Sequence, residues 1–310
     1  MNIVVTGGAG FIGSNLVERL LEENHKITVI DNMHSGSAKN LNGTRNRIQL
    51  CINSCGDILS LANSSANITN VDIIFHLGIP SSSPMYKDNP KLVGSAVSDT
   101  ISVFEHAKRT NAKVIFASSS SLYNGLKPPH REDMEIQITD YYTEARLYIE
   151  RIAKLYNMLH GVKSVGIRSF SVYGPHEEAK GKYANMVSQF LWDMIKDKSP
   201  IIYGDGKQTR DFTYVSDIID ALTMFMDEEF EFDIYNAGSG VSYGFNDLVD
   251  ILNVKLNKNI EPTYIKMPMN NYVADTLSDL TKIMKLGYTP KYSLDQGIDK
   301  TIQKYVMIQE

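Results

Sequence analysis

With 310 residues, 43% of them apolar and 22% charged, the chain can build two lobes around a sizeable core, which excludes a disordered or collagen-like protein. Thirty-one Lys plus Arg against 36 Asp plus Glu give a net charge of −5 without a long basic run, so a nucleic-acid partner is excluded while small local anion sites are not. No apolar run approaches the ~18 residues of a membrane span, and no basic or cleavable leader precedes the first strand, so a cytoplasmic protein without a membrane partner is expected.

In chain order, short β-branched apolar runs at 3–6, 26–30, 48–52, 72–77 and 113–117 predict buried strands. Helical periodicity fills 12–23, 92–110 and 142–159. Strands alternating with helices predict an α/β protein with a doubly wound parallel sheet, its ligands beyond the carboxyl ends of the strands. After a strand near 165–170 the texture changes: 174–211 holds Gly-Pro, charges and Gly204-Asp205-Gly206, and leaves the sheet. A helix near 215–226 and a strand near 231–236 return to it, and the last 70 residues read as mostly helical. Cys51 and Cys55 read as ordinary reduced thiols, and the seven histidines show no metal-ligand spacing, so no metal is expected. Gly174-Pro175-His176-Glu177-Glu178 reads as a solvated loop.

The first strand runs into Thr6-Gly7-Gly8-Ala9-Gly10-Phe11-Ile12-Gly13-Ser14, and a helix opens there. Glycines in that context permit a tight turn, bring backbone N–H groups to a pyrophosphate and let helix and strand approach closely. Asp31 closes the second strand, about 20 residues on, where a carboxylate accepts from both ribose hydroxyls and repels a 2′-phosphate; that favours NAD over NADP. The Rossmann-type NAD domain is expected over 1–170 plus about 212–240, with a smaller, discontinuous substrate lobe from about 171–211 and 241–310.

The fifth strand ends in Ala117-Ser118-Ser119-Ser120-Ser121-Leu122-Tyr123, and Tyr142-Thr143-Glu144-Ala145-Arg146 opens the next long helix. Residues i and i+4 share a helical face, and a fixed cation beside a phenol lowers its pKa from ~10 toward a usable general base. A serine hydroxyl at a strand end can bond the same substrate oxygen. Beside an NAD signature these groups predict a hydride-transfer site.

The series Thr6 to Ser14, Asp31-Asn32, Gly56-Asp57-Ile58, His76-Leu77, the serine run to Tyr123, Tyr142 with Glu150, Arg168 to Pro175, Gly204 to Asp217, Tyr235 to Gly238 and Leu286-Gly287-Tyr288 resembles the extended short-chain dehydrogenase/reductases. Within them it resembles the NAD-dependent sugar-nucleotide epimerase/dehydratase family, most similar to the UDP-glucose 4-epimerases. The resemblance implies NAD as cofactor, a nucleotide-diphosphate sugar (a UDP-sugar) as substrate, and a homodimer through helices 92–110 and 142–159. It makes Tyr142 the catalytic base, with Ser119 as its hydrogen-bonding partner. Gly7, Gly10, Phe11, Ile12 and Gly13 would hold the pyrophosphate, Asp31, Asn32 and Ser35 the adenosine ribose, and Asp57 and Ile58 the adenine. Leu77, Gly78 and Ala117 would line the way to the nicotinamide. Arg210 would grip the substrate diphosphate and Tyr203 flank its base, with Ser81, Ser82, Ser171 and Asn185 on the substrate side.

The departures are as informative. The family has lysine at Arg146: arginine either does the lysine's electrostatic work, without its ammonium reaching the nicotinamide ribose, or leaves catalysis impaired. Ser171 stands for the usual asparagine, Met269 for a second phosphate-binding arginine, and Thr276 is small enough to admit an N-acetyl group. Dehydratases carry Asp-Glu where Ser120 and Ser121 stand, and the decarboxylases keep a glutamate that is missing here. The expected activity is 4-epimerisation of a UDP-hexose, UDP-N-acetylhexosamine or UDP-hexuronate through a transient 4-keto sugar. The alternatives are a net NAD-dependent sugar-nucleotide oxidoreductase and a catalytically impaired NAD-binding protein.

Overall fold

The computed structural model describes residues 1–266 and 273–309. Strands β1 (Asn2–Thr6), β2 (Lys26–Ile30), β3 (Ile48–Cys51), β4 (Ile73–His76), β5 (Lys113–Ala117), β6 (Ser164–Ser169) and β7 (Phe232–Ala237) form one seven-stranded sheet in the order β7-β6-β5-β4-β1-β2-β3. The pairings from β3 through β6 are parallel, with Thr6 opposite Ile30 and His76 and Ala117 opposite Ile167. The carboxyl ends of β1, β2, β4 and β5 therefore share one edge, and the build reverses direction between β1 and β4, where an open α/β sheet takes its ligand. Val4, Val5, Ile74, Phe75, Ile115 and Phe116 are fully buried, as expected of strands covered on both faces.

Helices α1 (Phe11–Glu22), α2 (Leu92–Thr110) and α3 (Tyr141–His160) follow β1, β4 and β5. Residues at left-handed φ stop two of them, Asn111 after α2 and Gly161 after α3. α3 begins one residue earlier than its periodicity predicts because Asp140 caps it: the Asp140 side chain accepts from Thr143 N at 2.8 Å, and Thr143 Oγ1 accepts from Asp140 N at 3.1 Å. No helix among the described residues is long and apolar enough to cross a membrane.

The chain divides into two compact units, the first comprising Met1–Ser119, Asp140–Arg168 and Ile219–Tyr235, the second Ser120–Thr139, Ser169–Ile218 and Asn236–Glu310. The first holds the strand core, where Val4, Ile74, Val114 and Phe116 pack with Val103, Phe104 and Ile149. In the second, α4 (Met186–Ile195), α5 (Phe245–Leu256) and α6 (Leu294–Gln309) close a separate core of Phe190, Leu191, Phe245, Leu248, Leu294 and Ile298. The stretch 120–139 belongs to the second unit for a local reason: buried Tyr123 donates to Asn236 Oδ1 at 2.7 Å and stacks on His130 and Phe170.

Candidate active site

In the first unit, β1 passes into the glycine turn with Gly7 N donating to Ile30 O at 2.8 Å and Gly10 N to Gly7 O at 3.0 Å. Gly7 has φ +70°, and a Cβ there would stand 2.7 Å from Gly78 N. A Cβ on Gly13 would run into the Gly7 carbonyl oxygen. The turn is thus folded tightly against Leu77 and Gly78, the residues expected on the nicotinamide side. Gly10 precedes α1 without a side-chain cap, and no acidic residue stands in the first turn, so that positive helix end can take an anion.

Asp31 is 6% exposed. Its Oδ2 accepts from Ala9 N at 2.9 Å and its Oδ1 from Met33 N at 2.7 Å, so it braces the glycine turn from the end of β2. Burial pushes its carboxyl above the usual range, against the opposing pull of those N–H donors. Each oxygen keeps acceptor capacity for a hydroxyl. Asn32 is exposed and accepts from His34 N at 3.0 Å, and Ser35 is half-buried. Asp57 is exposed as well, but the Ile58 side chain is fully buried in the core with Cys55 and Ile79. An apolar residue opening a helix over the sheet is drawn inward, so any contact of Ile58 with adenine falls to its main chain. Cys51 and Cys55 are both free thiols.

Beneath the turn runs a buried polar chain. Thr100 Oγ1 donates to Ala96 O at 2.7 Å, so it accepts from His76 Nε2 at 3.0 Å, and His76 Nδ1 accepts from Thr6 Oγ1 at 2.9 Å. Thr6 Oγ1 in turn accepts from Gly78 N at 3.1 Å. Burial, reinforced by the Arg146 charge, holds His76 down to about 3, so the imidazole is neutral and this tautomer is fixed.

Tyr142 in the first turn of α3 is 6% exposed, and Ser119, beyond the end of β5, is 7% exposed. One turn on from Tyr142, Arg146 lies 5.0 Å from its ring centroid, and the Tyr86 ring stands 5.5 Å away on another side. The Arg146 fork donates through Nη1 to Ala117 O at 2.8 Å and through Nη2 to Pro80 O at 3.1 Å. A second turn on, Glu150 takes Arg168 at 2.9 and 2.7 Å and Ser118 Oγ at 2.5 Å, with both charged side chains almost wholly buried. Ser81 is exposed, Ser82 half-buried, and Ala117 half-buried at the strand end.

The second unit holds the others of the residues expected on the substrate. Arg210, in the short strand Thr209–Arg210, donates from Nη1 to Thr209 O at 2.8 Å and Ala274 O at 3.0 Å and from Nη2 to Val273 O at 2.6 Å. Its guanidinium lies 5.4 Å from the Phe245 ring. Next to it, buried Asp211 collects Ser239 N, Ser239 Oγ, Gly240 N, Ser278 N and Ser278 Oγ, which fixes the strand that carries Arg210. Tyr203 is half-buried in the strand Ile201–Tyr203. The Asn185 side chain is spent capping α4 through Val187 N at 3.0 Å, and Ser171 holds a φ of +28°. Thr276 is 6% exposed and accepts from Asp211 N at 3.1 Å, joining the hydrogen-bond hub around Asp211. Met269 lies outside the described residues.

The segment 174–178 is not a solvated loop. His176 is 8% exposed and Glu177 is fully buried. The Glu177 carboxylate takes Lys180 Nζ at 2.8 Å, Asn185 N at 2.8 Å and Ser188 Oγ at 2.6 Å, satisfying the start of α4. Composition suggested solvent; the unmet donors of a helix end won. Residues that motif reading missed include Tyr86, Ser83 and Asp140, which tie the segment after β4 to the start of α3 through a Ser83–Asp140 hydrogen bond. Asp140-x-x-Thr143 is a capping pattern that could have marked that helix start.

Comparison with known proteins agrees with this architecture. The model of the NAD dependent epimerase/dehydratase family matches residues 3–238. A Methanocaldococcus jannaschii protein provisionally named a UDP-glucose 4-epimerase is 33% identical over 305 residues, covering 97% of both chains. The UDP-N-acetyl-alpha-D-glucosaminuronate decarboxylase of Bacillus cytotoxicus is 30% identical over 97% of this chain and 96% of its own. Among solved structures, the UDP-glucose 4-epimerase of Thermotoga maritima with UDP-glucose superposes with a TM-score of 0.93 at 28% identity, covering 100% of both chains. The chain belongs to the NAD dependent epimerase/dehydratase family, sugar-nucleotide enzymes of the extended short-chain dehydrogenase/reductase type whose cofactor is NAD.

Proposed function

We propose that the protein is a UDP-sugar 4-epimerase acting by transient oxidation at C4. The observation that carries this reading is Tyr142 in the first turn of α3, with the Arg146 guanidinium 5.0 Å from its ring, in the unit that also bears Ser119 and the glycine turn. The tight Gly7–Gly78 approach and the two-oxygen Asp31 carboxylate fit a dinucleotide, held by Gly7, Gly10, Phe11, Ile12 and Gly13 at the pyrophosphate and by Asp31, Asn32 and Ser35 at the ribose. Bound there, NAD supplies a hydride acceptor that is also the donor for the return step. Tyr142 takes the proton of the sugar 4-hydroxyl and later gives it back, while Ser119 bonds the same oxygen. Arg210 and Tyr203 hold the nucleotide diphosphate while the keto sugar presents its other face.

Decarboxylation is the competing reading, since several relatives bear that name. Ser120 and Ser121 supply no carboxylate, and Glu150, the one bonded to Ser118, is engaged by Arg168. A homodimer through α2 and α3 belongs to the same proposal: Ile101, Tyr148 and Leu155 are exposed apolar residues on those helices. The test is a panel of UDP-hexose, UDP-N-acetylhexosamine and UDP-hexuronate with NAD, products assigned by NMR. A 4-epimer without net change at 340 nm is expected. Carbon dioxide release, stoichiometric NADH or no turnover at all would each refute the reading.

A further inference from the structure

A lysine at position 146 would end in a single compact ammonium, whereas arginine ends in a planar fork. In this chain the two arms of the fork go to two loops, Nη1 to Ala117 O beyond β5 and Nη2 to Pro80 O beyond β4. The third nitrogen, Nε, is buried without a partner, and the residue is 3% exposed. Arg146 forms no ion pair with a carboxylate among the described residues. It is walled in by the Tyr142 ring at 5.0 Å and by Tyr86, itself 5.5 Å from Tyr142. A guanidinium so enclosed commits one donor of each arm to the protein's own main chain.

We propose that Arg146 is a positioning residue that clamps the loops after β4 and β5 onto α3, and that it does not grip the cofactor's ribose. The clamp joins three pieces of the proposed site: Ala117 directly precedes Ser118-Ser119, Pro80 follows Leu77-Gly78 at the glycine turn, and α3 carries Tyr142. It acts on the reaction through where Tyr142 and Ser119 stand. A lysine offers one nitrogen where the fork offers two, so it holds both carbonyls only if they converge on that single atom, and charge alone does not restore the clamp. The kinetic part of this inference rests on the 4-epimerase reading; the binding and exchange parts do not.

The test compares Arg146→Lys and Arg146→Gln with the wild-type chain in four measurements: NAD affinity by titration calorimetry, thermal midpoint, hydrogen exchange over residues 77–82 and 117–119, and kcat against KM on whichever UDP-sugar the wild type turns over. Both variants are expected to bind NAD within threefold of wild type, to melt lower and to exchange at least tenfold faster in both loops. Arg146→Lys is expected to lose at least tenfold in kcat with KM within threefold. The clamp is overturned if Arg146→Lys matches wild type in melting, exchange and kcat. It is equally overturned if NAD affinity falls tenfold or more in Arg146→Gln and returns in Arg146→Lys while both loops stay protected. Should Arg146→Gln fail to fold, Arg146→Lys decides by the same criteria. If the wild type turns over no UDP-sugar, the 4-epimerase reading fails while NAD affinity, melting and exchange still decide the clamp.

Discussion

Glu150→Gln tests how the floor of the proposed site is held. Glu150 Oε1 receives Arg168 Nε at 2.9 Å and Ser118 Oγ at 2.5 Å, while Oε2 receives Arg168 Nη2 at 2.7 Å. With side-chain exposures of 5% and 6%, water cannot replace what is lost. Glutamine leaves one carbonyl acceptor, and its NH₂ points a donor at a group that also donates, so Arg168 becomes a buried charge without a counter-charge. Breaking such a pair costs about 3–5 kcal/mol, and for a unit of this size each kcal/mol is worth roughly 2–4 °C, so a midpoint about 10 °C lower is expected. Calorimetric melting of Glu150→Gln, Arg168→Met and the double variant Glu150→Leu/Arg168→Met is the assay. Each single change should be severe, and the double should fall well short of their sum because no orphaned charge remains. A Glu150→Gln midpoint within 2 °C of wild type, or strict additivity in the cycle, would refute the assignment of this pair as the buried tie between β6, α3 and Ser118.

Three further outcomes are expected. Gly13→Ala should weaken NAD binding at least a hundredfold in a fluorescence titration, because its Cβ meets the Gly7 carbonyl oxygen; near-normal affinity would show that the turn can open. Asp31→Asn should narrow the preference for NAD over NADP at least tenfold, measured as the ratio of the two dissociation constants, and an unchanged ratio would remove Asp31 from the ribose. Stability should fall in mild acid. Burial lowers the pKa of His76, His106, His130 and His176, His76 to about 3. Beneath pH ~6.5 the unfolded chain therefore binds more protons than the folded one; the stability is complete above that pH and is lost as pH falls toward the folded values, at roughly 1 kcal/mol per pH unit for each histidine still neutral. A melting temperature that stays flat from pH 7 to pH 5 would contradict this.

The sheet was legible because its strands are covered on both faces and so read as unbroken apolar runs; Ile3, Val4 and Val5 need no tertiary information to be recognised. The glycine turn was legible for the opposite reason, since positions that a Cβ cannot occupy are marked by the residue type itself. The segment 174–178 misled. A Gly-Pro pair followed by two glutamates looks solvated, but whether a carboxylate faces water depends on which helix end lies beside it, and α4 starts nine residues beyond Glu177.

The two cations found by spacing, Arg146 and Arg210, show where reading by residue type stops. Their charge follows from the residue type, but the partners of their forks do not. Those of Arg146 lie 29 and 66 residues away along the chain, and Arg210 reaches carbonyls 63 and 64 residues away. Each of these partners is a main-chain oxygen, a group carried by all twenty residue types, so no pattern of side chains could announce it. For Arg210 the consequence is that three carbonyls fix where its guanidinium stands. For Arg146 it is decisive. A fork enclosed at 3% exposure and tied to two loops cannot also be the mobile point charge that a lysine would be. Arg146 is therefore a fixed cation, and on the proposed clamp the geometry of Tyr142 depends on the backbone of the two loops that it holds.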